Sequence, residues 1–240
     1  MNNKLRWVLG MGLPRAMTNK LFGIGCFERQ WINPNMNING QLADDLLIDA
    51  FLGKRANGFY IDVGANDPVQ LSNTKRFYDR GWTGINIEPH PVKYDKLARA
   101  RPNDINLNMG AGPKNGVMQY WAFESDTIST FDEKNAHIAM CKNKVESTQM
   151  IMVKRLDAII EKHAPSRHID FMSIDVEGFE LAVLEGNDWS KFRPELLVME
   201  INIDYNDKVN AMKSYGYELA YYNGLNGYFI ANEMIGSLVG

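Results

Sequence analysis

The residues best suited to chemistry lie where two apolar segments each end in an acid. Residues 59–61 have the composition of a buried strand, and Asp62 and Gly64 follow them. Glycine has no Cβ and can take a positive φ, so the chain can turn sharply at Gly64 and approach a ligand closely. The second segment ends in Glu88, at about the 20-residue spacing at which nucleotide-binding sheets accept ribose hydroxyls. A carboxylate only accepts hydrogen bonds, so it suits a diol and repels a 2′-phosphate.

Alternating strands and helices must position these acids. The pattern predicts strands at residues 59–61, 84–88, 105–109, 116–121, 150–153, 169–174, 196–201, 217–222 and 228–232. Predicted helices cover residues 41–51, 73–80, 156–163, 179–184 and 207–215, and the last two strands form a hairpin through Asn-Gly turns. This order indicates an α/β fold with a mostly parallel sheet and an antiparallel C-terminal hairpin. Because ligands bind at the carboxyl ends of such strands, these side chains should converge on one cleft: Asp62, Glu88, Asn108, Asp175 and Glu200.

Two blocks of sequence resemble the FkbM family of S-adenosylmethionine-dependent methyltransferases. The first joins Asp-Val-Gly-Ala-Asn at residues 62–66, Ser-Asn-Thr at 72–74 and Gly-Trp-Thr-Gly-Ile-Asn-Ile-Glu-Pro at 81–89. The second is Ile-Asp-Val-Glu-Gly-Phe-Glu at residues 174–180, where Phe179 stands in place of the usual small residue and is expected to crowd the turn. The resemblance spans residues 58–201 and implies the class I methyltransferase fold, which is Rossmann-like with helices on both faces of the sheet.

The resemblance also implies roles for individual residues. Asp62, Gly64, Ala65 and Asn66 would cradle the methionine part of S-adenosylmethionine, Asn73 and Thr74 would assist, and Glu88 would hold the ribose. Asn108, or the backbone near Met109, would lie beside the adenine.

The acids of the second block are the candidates nearest the methyl acceptor. Methyl transfer mainly requires orientation of donor and acceptor, with removal of the acceptor proton where needed. Asp175 and Glu177 could orient a hydroxyl, act as its base or bind a cation, or could simply cap the helix that begins near Gly178. Asp175, Glu200 and Asn202 together offer oxygen ligands for Mg²⁺.

Composition limits the other classes of function. The chain has 240 residues and a formal net charge of −3, which suits one large domain and gives no general attraction to nucleic acid. Cys26 and Cys141 are far apart and show no metal-binding spacing, so a cytoplasmic protein is expected. No segment reaches the length of a membrane span, and the apolar run near the N-terminus is too short for a signal peptide.

The first 50 residues are predicted to be an N-terminal extension, helical or irregular, that precedes a methyltransferase domain at 51–240. Residues 1–27 contain no acid and four basic residues. They could contact a membrane surface or an anionic substrate, or pack on the domain or on a second subunit, so a homo-oligomer is left open.

Three functions are compatible with these features. The leading one is O-methylation of a sugar, glycan or secondary metabolite, with an acceptor pocket built partly from residues 123–145. A nicotinamide-dependent oxidoreductase fits Glu88 but lacks the GxGxxG turn, and Asp67 would repel a pyrophosphate. A catalytically inactive cofactor-binding module is the third.

Overall fold

The computed structural model describes residues 38–235 of the chain. Ten strands are present among them: β1 (Phe59–Val63), β2 (Thr83–Ile87), β3 (Ile105–Leu107), β4 (Gly110–Ala111), β5 (Gly116–Phe123), β6 (Val145–Lys154), β7 (Phe171–Ile174), β8 (Leu196–Glu200), β9 (Tyr217–Tyr222) and β10 (Asn226–Ala231). The helices are α1 (Asp44–Phe51), α2 (Lys75–Asp79), α3 (Pro91–Ala100), α4 (Glu133–Met140), α5 (Leu156–His163), α6 (Glu180–Glu185) and α7 (Tyr205–Ser214). Short 3₁₀ turns lie at Asp126–Ile128 and Asn232–Met234.

Seven strands form the main sheet, in the order β3-β2-β1-β7-β8-β10-β9. The pairs from β3 to β8 are parallel, whereas β10 runs antiparallel to both of its neighbours. The strand order reverses direction beside β1, and this is where ligands bind in open α/β sheets. The prediction of a class I methyltransferase fold with an antiparallel C-terminal hairpin is therefore confirmed.

Apolar side chains alternate between the two faces of this sheet, and helices cover both. Ile61 and its neighbours on one face pack in a core with residues of α5, α6 and α7. Tyr60 points to the opposite face and packs in a second core with residues of α1 and α2. The strands carry apolar residues on both faces, so each face must be covered to remove these residues from water. The helices on the two faces of the sheet provide this cover.

A second, three-stranded sheet in the order β4-β6-β5 was not predicted from the sequence. Strand β6 is longer than the predicted 150–153 because it also includes residues 145–149, which are mostly polar and alternate between half-buried and exposed. The region between β5 and β6 contains α4, whose first turn is capped by Asp132 accepting a hydrogen bond from the Asn135 amide at 2.7 Å.

The N-terminal part is described from residue 38 onward. The predicted helix at 41–51 is present as Asp44–Phe51, and its residues Leu47, Ile48 and Phe51 are buried against the sheet. Residues 1–37 lie outside the described part, so the predicted N-terminal extension and its boundary at residue 50 stay predictions. No helix among residues 38–235 has the length and apolar character required to cross a membrane.

Candidate active site

A cleft lies at the carboxyl ends of β1, β2, β7 and β8. Its volume is about 1160 Å³ when the open mouth is included. Four of the five predicted strand-end residues line it, namely Asp62, Glu88, Asp175 and Glu200, and so do Gly64, Ala65, Asn66, Asn73 and Glu177. Asn108 and Thr74 are not among the lining residues. The parallel strands thus bring most of the predicted site residues to one place.

Asp62 is buried at the end of β1, on the face that meets α2. Its Oδ2 accepts a hydrogen bond from Thr74 Oγ1 at 2.7 Å, and its Oδ1 has no hydrogen-bond partner among the described residues. Burial raises the pKa of the Asp62 carboxyl, while the Thr74 hydroxyl and the charge of Arg101 act to lower it. One carboxylate oxygen is therefore fixed by the protein and the other is left for a ligand.

Gly64 begins the sharp turn after β1, with φ at +84°. A Cβ on this residue would lie 1.8 Å from the carbonyl oxygen of Asp175. The amide of Gly64 donates to the carbonyl oxygen of Ile87 at 2.9 Å. Glycine is thus needed here for close packing of neighbouring strand ends, in addition to the ligand approach expected from the sequence.

Glu88 is buried at the end of β2 and is held by backbone amides. Its Oε2 accepts from the Asn66 amide at 2.8 Å, and its Oε1 accepts from the His90 amide at 2.7 Å. Burial raises the pKa of Glu88 to about 7, although these two hydrogen bonds act to lower it. Each carboxylate oxygen has two lone pairs, so both can still accept a hydrogen bond from a diol.

Asn73 and Asn108 have different surroundings. Asn73 Nδ2 donates to Ser173 Oγ at 3.1 Å, whereas its buried Oδ1 has no hydrogen-bond partner among the described residues. Asn108 is exposed, and its Nδ2 donates to the carbonyl oxygens of Glu88 and Pro89, each at 2.9 Å. Asn73 therefore offers an acceptor at the cleft, while Asn108 fixes the chain that follows β2. The predicted adenine contact of Asn108 stays a prediction.

Asp175 and Glu177 follow β7, the strand next to β1, and both line the cleft. Neither carboxylate receives a hydrogen bond from the described part of the chain. Burial raises the pKa of Asp175 to about 8, with a further contribution from Glu200, and raises that of Glu177 to about 9, with a further contribution from Asp175. Neither group caps α6, which has no side-chain cap, so the predicted alternative role of helix capping does not describe this geometry.

A buried ion pair, not predicted from the sequence, supports the loop that carries these two acids. Glu180 Oε1 accepts from the amides of Val176 at 3.2 Å and Gly178 at 3.1 Å. Its Oε2 accepts from Lys208 Nζ of α7 at 2.8 Å. Glu180 belongs to the second sequence block, but its partner lies 28 positions further on, and that spacing gave no signal.

The second sheet and the segment before α4 supply the remaining wall. Tyr120, Thr127, Ser129, Thr130 and Phe131 line the cleft there. The ring of Phe179 packs against this wall, at 5.8 Å from that of Phe131 and beside Gly112. This wall combines aromatic and hydroxyl side chains, and it includes the region where the acceptor pocket was expected.

Arg101 is a second residue missed by sequence reasoning. Its guanidinium is 1% exposed and donates to Thr74 Oγ1 at 2.6 Å, Ser72 Oγ at 2.7 Å and the Pro68 carbonyl oxygen at 2.7 Å. From the sequence, an arginine between Ala100 and Pro102 has the features of an exposed helix end. The one indication of its burial was indirect, because a buried acid requires a compensating positive charge nearby.

The geometry gives the predicted magnesium site no support. Among the described residues, the three side chains close enough to share a metal ion are His168, Asp170 and Glu195, at the opposite ends of the strands. Arg55 already pairs with Asp170 at 2.6 Å and Glu195 at 2.7 Å. Of the predicted ligands, Asp175 and Glu200 line the cleft, whereas Asn202 is exposed and is not among its lining residues.

Comparison with known proteins identifies a matching family model. The model described as Methyltransferase FkbM domain matches residues 62–219, about two thirds of the chain. No curated protein matches the chain. A solved structure of precorrin-6y C5,15-methyltransferase from Geobacter metallireducens GS-15 is similar at 10% identity and a TM-score of 0.39, covering 82% of this chain and 90% of that chain. An O-methyltransferase from Bacillus cereus, solved with S-adenosylhomocysteine (SAH), is similar at 10% identity and a TM-score of 0.38, covering 95% and 94%.

Proposed function

This chain belongs to the methyltransferase FkbM family, and from that premise we propose that it transfers the methyl group of S-adenosylmethionine (SAM) to a hydroxyl oxygen of a sugar, glycan or secondary metabolite. The observation that carries the proposal is the convergence of two pairs of acids, Asp62 with Glu88 and Asp175 with Glu177, on one cleft at the ends of neighbouring strands. The first pair suits the donor and the second pair suits the acceptor.

The residues on the donor side fit SAM chemically. Asp62 Oδ1 is free to accept a hydrogen bond, and the buried Asn73 Oδ1 is an unused acceptor beside it. Both suit the ammonium group of the methionine part, while Glu88 retains lone pairs for the ribose diol. SAM supplies an electrophilic methyl group on a positively charged sulfur, and a cleft rich in carboxylates favours such a cation.

The acceptor side supplies a base. A carboxylate of Asp175 or Glu177 takes the hydroxyl proton as the new carbon–oxygen bond forms and the carbon–sulfur bond breaks. Burial and the charge of Glu200 raise the pKa of Asp175 to about 8, and burial and the charge of Asp175 raise the pKa of Glu177 to about 9. These values lie near physiological pH, where a general base is most effective.

The lining indicates the chemical class of the acceptor. Tyr120 and Phe131 offer aromatic surface, and Thr127, Ser129 and Thr130 offer hydroxyls that pair with other hydroxyls. Lys93 is the only basic side chain among the described lining residues, against five acids: Asp62, Glu88, Asp175, Glu177 and Glu200. A neutral or cationic polyhydroxyl compound is therefore favoured over a phosphorylated or carboxylated one. The cytoplasmic location rests on the cysteine pattern and stays a prediction.

Calorimetric titration with SAH tests the donor site. We expect saturable binding by the wild type, weakened roughly tenfold or more in Glu88→Ala, because the diol loses its acceptors. Glu161→Ala removes a carboxylate from the exposed pair with Lys191 and should bind like the wild type. A wild type that does not bind SAH would overturn the proposal.

The product tests the acceptor chemistry. Incubation with isotopically labelled SAM and a polar small-molecule extract should yield a labelled methyl ether, identified by mass spectrometry. A labelled N-methyl or C-methyl product would contradict O-methylation while leaving the family assignment intact.

A further inference from the structure

Arg101 lies behind the donor side of the cleft and does not line it. Although it is almost completely buried, it directly contacts no carboxylate of residues 38–235, and its three hydrogen bonds end on Thr74, Ser72 and Pro68. Its guanidinium also lies 5.6 Å from the ring centre of Tyr78. A buried arginine without a directly bonded acid is costly, and the charge it compensates must be found nearby.

Asp62 is such a charge, reached through a single hydroxyl group. Arginine can only donate hydrogen bonds, so Thr74 Oγ1 must be the acceptor in its 2.6 Å contact with Arg101. The one hydroxyl proton of Thr74 is then directed to Asp62 Oδ2, at 2.7 Å. The polarity of the chain from Arg101 through Thr74 to Asp62 is therefore fixed, and each hydrogen bond strengthens the next.

The same guanidinium holds the loop that carries other cleft residues. Ser72 Oγ accepts from Arg101 and from the amide of Lys75 at 3.2 Å, and the Pro68 carbonyl oxygen also accepts from Arg101. Leu71, Ser72 and Asn73 of this loop line the cleft. One side chain therefore fixes both the end of β1 and the loop that faces it.

We propose that Arg101 is a positioning residue of the donor site, which acts through Thr74 to hold Asp62 as an oriented carboxylate with Oδ1 directed to the positively charged end of the donor. This inference rests on the proposed function, because it takes Asp62 to be a donor ligand. The match to the family model assigns no role to Arg101 or to the hydrogen-bonded relay from Arg101 through Thr74 to Asp62.

Substitutions at Thr74 test the relay with little change in volume. Thr74→Val removes the hydroxyl and leaves Oδ2 of Asp62 without a donor, so SAH affinity should fall roughly 10- to 100-fold. Thr74→Ser restores the hydroxyl and should recover affinity to within about threefold. Arg101→Lys keeps the charge but loses the planar fork, and it should also weaken SAH binding about tenfold or more.

The pH dependence separates this role from a general loss of structure. Removal of the Thr74 hydroxyl should raise the pKa of Asp62 further, so that Asp62 ionises at a higher pH in Thr74→Val than in the wild type. The factor by which the wild type binds SAH more tightly than Thr74→Val should therefore shrink as pH rises from about 6.5 to about 8.5. The ratio is used because Glu88 and Asp175 also face the cleft and affect both proteins equally. The charged or titratable groups that act on Asp62 are Arg101, Asp104, Tyr60, Glu88 and Asp175.

Arg80→Lys is the matched control. Arg80 is another partly buried arginine, paired with Asp49 at 2.6 Å, and it does not line the cleft. It should change thermal stability without changing SAH affinity. The relay would be overturned if Thr74→Val and Arg101→Lys, both folded by thermal melting, bound SAH like the wild type. Failure of the wild type to bind SAH would instead overturn the proposed function.

Discussion

Lys208 Nζ donates to Glu180 Oε2 at 2.8 Å and to the carbonyl oxygen of Glu200 at 3.1 Å. Both side chains of the ion pair are almost fully buried, at 2% and 0% exposed. Since Glu180 also accepts from the amides of Val176 and Gly178, the pair connects α7 to the loop that carries Asp175 and Glu177 and to the end of β8. This part of the cleft is thus supported by an ion pair whose two residues do not line the cleft.

Lys208→Met should destabilise the protein by about 3–5 kcal/mol, because it leaves a buried carboxylate without its counter-charge. Urea unfolding measures the change. Lys213→Met, on an exposed position of the same helix, should lie within about 0.5 kcal/mol of the wild type. The double variant Glu180→Gln with Lys208→Met should recover part of the loss, and a Lys208→Met protein as stable as the control would contradict this account.

Gly64→Ala should lose far more stability than Gly81→Ala, although both glycines have a positive φ, at +84° and +96°. A Cβ at Gly64 would meet the Asp175 carbonyl oxygen, whereas a Cβ at Gly81 meets nothing within 4 Å. The backbone conformation alone costs about 1 kcal/mol, and the collision should at least double that cost. Denaturant unfolding of the two variants gives the comparison. Equal losses of stability in the two variants would contradict this prediction, because they would show that the two strand ends move apart to accommodate the added Cβ.

The sequence predicted four acids of the cleft because each stands at the end of an apolar segment. Parallel strands bring such ends to one edge of the sheet, so Asp62, Glu88, Asp175 and Glu200 were placed without knowledge of any tertiary contact. The same rule also selected Asn108, which lies at a strand end but is exposed. Position along a strand therefore identifies the edge of the sheet, but not which side chains enter the cleft.

The supporting residues could not be predicted in this way. Arg101 and Lys208 act on acids that are distant in sequence, and only the packed structure shows that each is buried. The second sheet was not predicted for a different reason. Strand β4 has two residues, and the first half of β6 is too polar to be recognised as a strand. The burial of a positive charge and the formation of a short strand both depend on residues that are distant in sequence. The local hydrophobic periodicity carries no information about those residues.

The stability of the protein should fall as pH rises from about 5 to 9, in part because of Asp175. Its pKa is raised from 3.8 to about 8 in the folded protein. The folded protein therefore holds a proton that the unfolded chain releases, so the stabilisation is complete below the unfolded pKa and disappears as pH rises through the folded one. In Asp175→Asn this contribution is absent, and its stability should decline less steeply, by roughly 1–3 kcal/mol over the range.

Urea unfolding at several pH values checks this slope. The difference in unfolding free energy between the wild type and Asp175→Asn isolates the contribution of Asp175. Other acids, such as Asp67 and Glu233, have lowered pKa values and act in the opposite direction in both proteins. Asp207→Asn, at an exposed position on α7, should parallel the wild type. Parallel curves for the wild type and Asp175→Asn would mean that Asp175 is already ionised at pH 5.

The preference of the cleft for SAM over SAH should increase with pH. The two molecules differ by the positive charge on sulfur, so the ratio of their affinities reports the electrostatic potential at the donor site. Burial raises the pKa of Glu88 to about 7 and of Asp175 to about 8, so both acquire their negative charges between pH 6 and 9. We expect the ratio to rise several-fold over this interval, measured by equilibrium dialysis of each ligand. The double variant Glu88→Gln with Asp175→Asn removes two of the titrating charges and leaves Glu177, so the ratio should rise less than in the wild type. A constant ratio in the wild type would place the sulfur away from these acids.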